Sequence, residues 1–141
     1  MSTEARRVAV VALTRLADSP DHVDRADAGR SLASFAELPE ATAPLLALVL
    51  DADDTFVTRA TAEALLRRHD SAGLGVVAAA LAEADPNHAD WIQTAVHDVF
   101  AVFARDRDAA LRECAALTPV SGVAELTAML TELDPILYPE R

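Results

Sequence analysis

The chain has no lysine. Its twelve basic residues are all arginine, set against 23 aspartates and glutamates, for a formal net charge of -11. So acidic a body repels phosphate backbones and anionic lipids, which disfavours non-specific binding to nucleic acid or a membrane surface. The arginine bias itself fits a GC-rich bacterial coding sequence and carries no mechanism. A single cysteine, Cys114, excludes an internal disulfide and any paired-cysteine metal site. Four glycines, one Trp, one Tyr and four Phe are too few for a turn-dense β architecture, so a core has to be aliphatic and rich in alanine. Long apolar runs are missing as well. Val8 to Leu13 follows Arg6 and Arg7 but is cut short at Arg15, below the roughly 7 to 15 residues of a secretory core and the roughly 18 of a membrane span. The expected location is therefore the cytoplasm. At 141 residues the chain reads as one domain, 1–141, able to bury roughly 68 % of its unfolded surface.

What the sequence does contain is a repeat. Val23, Val57 and Trp91 are spaced by 34 residues, and each opens a segment that aligns with the others: Val23 to Leu32, Val57 to Leu66, Trp91 to Phe100. The first two share V-x-R-A-x-A-x-x-x-L, and Gln93, Val96 and Phe100 hold the same slots in the third. Upstream of each lies an apolar stretch, Val8 to Ala17, Pro44 to Leu50 and Leu74 to Ala84. Acidic turns, Asp18 to Asp21, Asp51 to Asp54 and Asp85 to Asp90, join stretch to segment and supply helix caps. In the third segment Ile92, Ala95, Val96, Val99, Phe100 and Phe103 recur at a period near 3.6, which specifies helix; a strand would alternate. Pro39 and the Gly73 to Gly75 stretch are expected to punctuate the junctions between repeats. A fourth, poorer pair runs from about Asp108 to Leu117 and Gly122 to Leu133. The expected units are roughly 4–37, 40–70, 72–104 and 107–134.

The stretch Pro44-Leu-Leu-Ala-Leu-Val-Leu-Asp51, its acidic turn, then Arg59, Ala62 and Leu66 before Arg67-Arg-His-Asp70, resembles a HEAT repeat of the short bacterial type. Arg25, Ala28 and Leu32 match the same slots, and the resemblance extends over about residues 8 to 104. It implies an all-α, right-handed α-solenoid of about four antiparallel helix pairs, with Arg25 and Arg59 bridging neighbouring turns through Asp21, Asp54 or Asp51. The Trp, Leu-Gly and Tyr signature of tetratricopeptide repeats, which share the period, is missing.

The pattern allows two functional readings. In a solenoid the second helices line the concave side, and projecting the non-core positions across the repeats gives a stripe: Arg25, Gly29 and Arg30; Arg59, Glu63 and Arg67; Gln93, His97 and Asp98. Such a stripe, locally rich in arginine, would receive an acidic peptide or loop of a partner protein, which points to a non-enzymatic adaptor or accessory module. Against it stands a metal-dependent HD-type phosphohydrolase built on His69, His97, Asp98 and Asp134, whose imidazoles and carboxylates would have to converge on one ion. The repeat aligns His69 with Phe35 and Phe103, a core-facing slot, and so argues against convergence. The Asp51 to Asp54 stretch begins like a calcium loop but has Phe56 where the sharp turn demands Gly. His88, amid Asp85 to Asp90, reads as part of a cap. Cys114 lies on an apolar helix face beside Leu111 and Ala115 and reads as core. No cofactor or resident metal is expected, and nucleic-acid binding by a HEAT-like concave face needs a more basic surface.

Overall fold

Each acidic turn of the sequence becomes a helix cap. In the computed structural model, which describes residues 1–137, Asp21 accepts the Val23 N–H at 2.9 Å, Asp54 that of Phe56 at 2.9 Å, Asp70 that of Gly73 at 2.9 Å and Asp85 that of His88 at 2.7 Å. Ser2 caps the first helix through the Ala5 N–H at 3.1 Å. Caps of this kind contribute about 1 kcal/mol each. They open α1 (Thr3–Ala17), α2 (His22–Leu32), α4 (Thr55–Leu66), α5 (Ser71–Glu83) and α6 (Pro86–Phe100), and the series is completed by α3 (Pro39–Val49), α7 (Ala104–Leu117) and α8 (Val123–Thr131). A single 3-10 turn, Ala33–Phe35, follows α2. The described residues form no strand; an isolated bridge pairs Phe103 with Leu137. The expected domain 1–141 runs past this range, and its residues 138–141 lie outside the described residues.

Two boundaries differ from the sequence reading. The first helix of the second pair begins at Pro39 instead of Pro44, so Pro44 lies inside α3. Pro44 removes one bond from the helix ladder, and complete burial of Ala41, Leu45 and Val49 on the same helix carries α3 through it. Gly73 and Gly75 sit within α5, not at a junction, which is marked by Asp70. Gly73 is there because α5 starts against the end of α4, where a Cβ would stand 2.1 Å from the Leu65 carbonyl oxygen.

The odd-numbered helices α1, α3, α5 and α7 touch in succession, as do the even-numbered α2, α4, α6 and α8, and each odd helix also packs on the even helix that follows it. One apolar cluster runs through both rows, from Val10 in α1 to Leu130 in α8. Repeat-equivalent positions are buried together, as the spacing predicts: Ala28, Ala62 and Val96 as one set, Leu32, Leu66 and Phe100 as another. Beyond the third pair the repeat fades and the chain fastens itself differently. Ile136 and Leu137 donate their N–H groups to the Ala101 and Val102 carbonyls at 2.9 and 2.7 Å, and the Leu137 carbonyl accepts from Ala104 at 2.8 Å. Arg107 adds a bond to the Leu133 carbonyl at 3.0 Å.

The α2–α4 contact of the even row depends on a glycine. A Cβ on Gly29 would stand 2.0 Å from Thr61 Oγ1. Thr61 and Thr58 are fully buried, and neither hydroxyl has a hydrogen-bond partner among the described residues. Gly29→Ala is expected to destabilise the fold by about 1 to 3 kcal/mol through overpacking, despite a gain of roughly 1 kcal/mol in helix propensity. Thr61→Ala in that background should recover part of the loss. Urea denaturation checks both, and a Gly29→Ala protein more stable than wild type would show that the two helices can separate at no cost.

Candidate functional site

Two groups of side chains organise the even-numbered helices, one at the inter-helix loops and one on their outer surface. The loop group starts at Arg25, whose Nε donates to Asp51 Oδ1 at 2.9 Å and Nη2 to Asp51 Oδ2 at 3.3 Å. Its Nη1 reaches the Ser19 and Pro20 carbonyls at 3.1 and 3.0 Å. The fork ties the α1–α2 loop to the α3–α4 loop, with side chains only 10 % and 9 % exposed. The Asp51 hydrogen bond holds the guanidinium more firmly protonated than usual, against the opposing effect of burial. Asp51 Oδ2 also accepts from the Asp53 and Asp54 N–H groups at 3.2 and 2.9 Å, so the acids of this loop build a turn and a cap where a calcium loop would need free ligands.

The next loop is tied through a histidine. His88 Nε2 lies 2.7 Å from the Asp51 carbonyl oxygen, and Nδ1 lies 2.8 Å from Asp85 Oδ1. Both acceptors are oxygens, so both ring nitrogens donate only when the ring is an imidazolium. The bond to the Asp51 carbonyl, then that to Asp85, raise the His88 pKa above 6.5 despite burial. The resemblance assigned this bridging role to Arg59, and the structure does not. In repeat register α6 begins three residues earlier than α4, and the added turn brings in His88. At the opposite ends of the helices Arg68 binds the Ala33 carbonyl at 2.8 Å, Glu37 at 3.0 Å and Asp70 at 2.9 Å. Arg6 also pairs with Glu37.

The candidate stripe is thereby redrawn. Arg25 leaves it, being 8 % exposed and committed to Asp51, and Gly29 is buried against α4. Arg30, Arg59 and Arg67 remain exposed on α2 and α4, and each has a carboxylate on the same surface: Arg30 with Asp27 at 3.2 Å, Arg59 with Asp98 across to α6 at 2.6 Å, Arg67 with Glu63 at 2.9 Å. Formal charge along the row cancels, so the stripe is not the basic strip that the projection alone implied. Gln93 and His97 are exposed on α6. Between Arg30 and Arg67 lies a shallow depression of about 210 Å³ lined also by Ala60, Glu63 and Ala64. Phe56, 43 % exposed, stands between His22, edge-on at 5.9 Å, and the Arg30 guanidinium at 5.5 Å. The sequence reading took Phe56 only as the residue that spoils a calcium loop; the available signal was two apolar residues in a row, Phe56 and Val57, at a helix start, where only one can face the core.

The four residues of the hydrolase reading do not come together: among the described residues no three His, Cys, Asp or Glu side chains could share a metal ion. Asp98 is engaged by Arg59, and Asp134 lies in the segment after α8. His69 is not core-facing, as its alignment implied. It follows α4 with a φ of 56°, in the left-handed region, so its side chain leaves the helix register and sits exposed with its ring edge-on to Phe100 at 5.5 Å. Cys114 is buried, and burial pushes its thiol pKa up, away from nucleophilic character.

No family model, no curated protein and no solved structure matches this chain.

The loop ties give stability a defined pH dependence. His88, with a folded pKa above its ordinary 6.5, contributes fully below that value and progressively less as pH rises through the raised one. Asp85, lowered by the His88 backbone N–H first and the imidazole after it, contributes above its ordinary 3.8 and fails only when pH falls through the lowered value. The melting temperature should therefore be highest between these limits and decline on the alkaline side. His88→Gln should lower it at pH 6 by an amount equivalent to about 1 to 2 kcal/mol and flatten the alkaline decline. An unchanged slope would show that the imidazolium makes no such bridge.

Proposed function

We propose that this chain is a non-enzymatic protein-binding module of HEAT-like build, in which the helix pairs stack as a right-handed, antiparallel solenoid and the even-numbered helices form its concave, partner-binding side. The carrying observation is the set of exposed guanidiniums on α2 and α4, with Arg30 and Arg67 flanking the small-residue floor of Ala60 and Ala64 and Arg59 facing α6 beside Asp98. Their partners on the surface do not exhaust them. Arg30 uses Nη1 for Asp27 and Arg59 uses Nη2 for Asp98, which leaves the other donors of each fork for an incoming carboxylate. The internal carboxylates hold the guanidiniums in place before binding and so reduce the ordering cost of association. A partner segment carrying Asp or Glu would take bidentate bonds there, with Glu63, Gln93, His97 and Asp98 at the margin and Phe56 as an apolar contact. The acidic body disfavours nucleic acid as the ligand, and a cytoplasmic partner fits the single buried cysteine.

The test is quantitative capture of a partner first identified by pull-down and then purified. Arg67→Glu should slow association about three- to tenfold, with the difference shrinking as salt is added. Arg112→Glu, an exposed site on α7 away from the row, should leave the rate unchanged. Equal losses at the two positions would move the interaction off this face, and stoichiometric Mn, Fe or Zn lost on His97→Ala would overturn the non-enzymatic reading.

A further inference from the structure

The outer side of α1 carries a pattern that no contact within the chain uses. Glu4, Val8, Val11 and Arg15 follow one another at intervals of four, three and four residues, the a/d spacing of a coiled-coil seam. With Arg7 and Ala12 they line a groove of about 370 Å³ along the helix. Val8 is 60 % exposed and Val11 53 %, whereas Val10 of the same helix is buried in the core. Repeat register shows what kind of surface this is. Thirty-four residues on, Val8 and Val11 become Thr42 and Leu45, half-buried and buried; a further repeat on, they become Val76 and Ala79, buried and half-buried. These are packing positions in α3 and α5, and α1 presents them uncovered.

The ends of the seam say what covers it. Glu4 lies in the first turn of α1 and Arg15 in the last. Arg6 and Arg7 are taken up by Glu37 and Glu40, while Glu4 and Arg15 form no ion pair among the described residues. Rotate the helix by a two-fold axis passing between Ala9 and Val10, and Glu4 falls opposite Arg15, Val8 opposite Val11 and Arg7 opposite Ala12. Every groove residue then meets a complement: acid meets base at both ends, valine meets valine in the middle, and the long Arg7 stem lies over a small alanine. A parallel arrangement would set Glu4 on Glu4 and Arg15 on Arg15.

We propose that α1 is a homodimerisation seam, in which two copies of this chain pack α1 against α1 antiparallel, Glu4 of each paired with Arg15 of the partner subunit. Such an interface is isologous, the commonest kind among soluble oligomers, and antiparallel helix dipoles add to it. A 15-residue helix is about 22 Å long, so the seam is at the small end of interface sizes and the dimer is concentration-dependent. It leaves the even-numbered face of both subunits free.

Sedimentation equilibrium over a concentration series tests this directly. The wild-type mass should climb from 15.0 kDa toward twice that value. Arg15→Glu and Glu4→Arg, each placing two like-charged contacts across the axis, should each weaken the dimer about tenfold or more, and Val8→Asp should abolish it. The double variant Glu4→Arg/Arg15→Glu should return to within about threefold of wild type, because only antiparallel pairing restores opposite charges at both ends. All positions are exposed, and an unchanged helical circular dichroism spectrum verifies folding. A mass of 15.0 kDa at every concentration overturns the proposal, as does a double variant no better than the single ones.

Discussion

The alignment of the first helix pairs rests on directional ties, first among them the buried fork between Arg25 and Asp51. The core that surrounds it is rich in alanine, with Ala26, Ala28, Ala41, Ala62 and Ala95 wholly buried. Alanine faces bring helices close but interlock poorly, since each methyl adds only about 0.8 kcal/mol of transfer energy and offers no long knob to prevent slippage. Leu32, Leu45, Leu65 and Leu66 supply the larger knobs that are present, and directional contacts add to the registration. Arg25 supplies them by binding a carboxylate of one loop and two carbonyls of another at once, a geometry that a shift of one helical turn would destroy. Replacing such a pair by apolar residues of similar volume is often neutral in energy, so its role is to select one alignment more than to add net stability.

His88 and Arg68 extend the same device. His88 carries the tie from Asp51 to Asp85 on the next loop, and Arg68 does the corresponding work at the far ends of α2 and α4 through Ala33, Glu37 and Asp70. An arginine-rich, lysine-free chain suits this. A guanidinium presents five donors in a plane and can satisfy several carbonyl and carboxylate oxygens while partly buried, which a compact ammonium does not.

The elements that recur at 34 residues were legible in the sequence because burial repeats with them, Ala28 and Ala62 inside and Leu32 and Leu66 near the ends, and capping repeats within one residue of that period, at Asp21 and Asp54. What was not legible depends on departures from the period. Pro44 looked like a helix start because its apolar run begins there, yet Ala41, buried one turn earlier, extends α3 back to Pro39. Arg59 looked equivalent to Arg25, but the early start of α6 puts His88 at the loop and leaves Arg59 to Asp98. His69 lost its register when the backbone turned left-handed. Of the candidate stripe's arginines, Arg30, Arg59 and Arg67 are exposed on α2 and α4 and Arg25 is buried. The stripe already held Glu63 and Asp98; what the projection missed was Asp27 beside Arg30 and the reach of Arg59 across to Asp98 on α6, which depends on interhelix distance.

The central claim, that a directional tie registers helix pairs across an alanine-rich core, is tested most directly by a double-mutant cycle on Arg25→Ala and Asp51→Ala in urea denaturation. Each single change strands a partly buried charge and should cost about 3 to 5 kcal/mol. The double change should cost little more than the larger single one, giving a coupling energy of about 2 kcal/mol or more. Strictly additive losses, or single losses within about 0.5 kcal/mol of zero, would contradict the account.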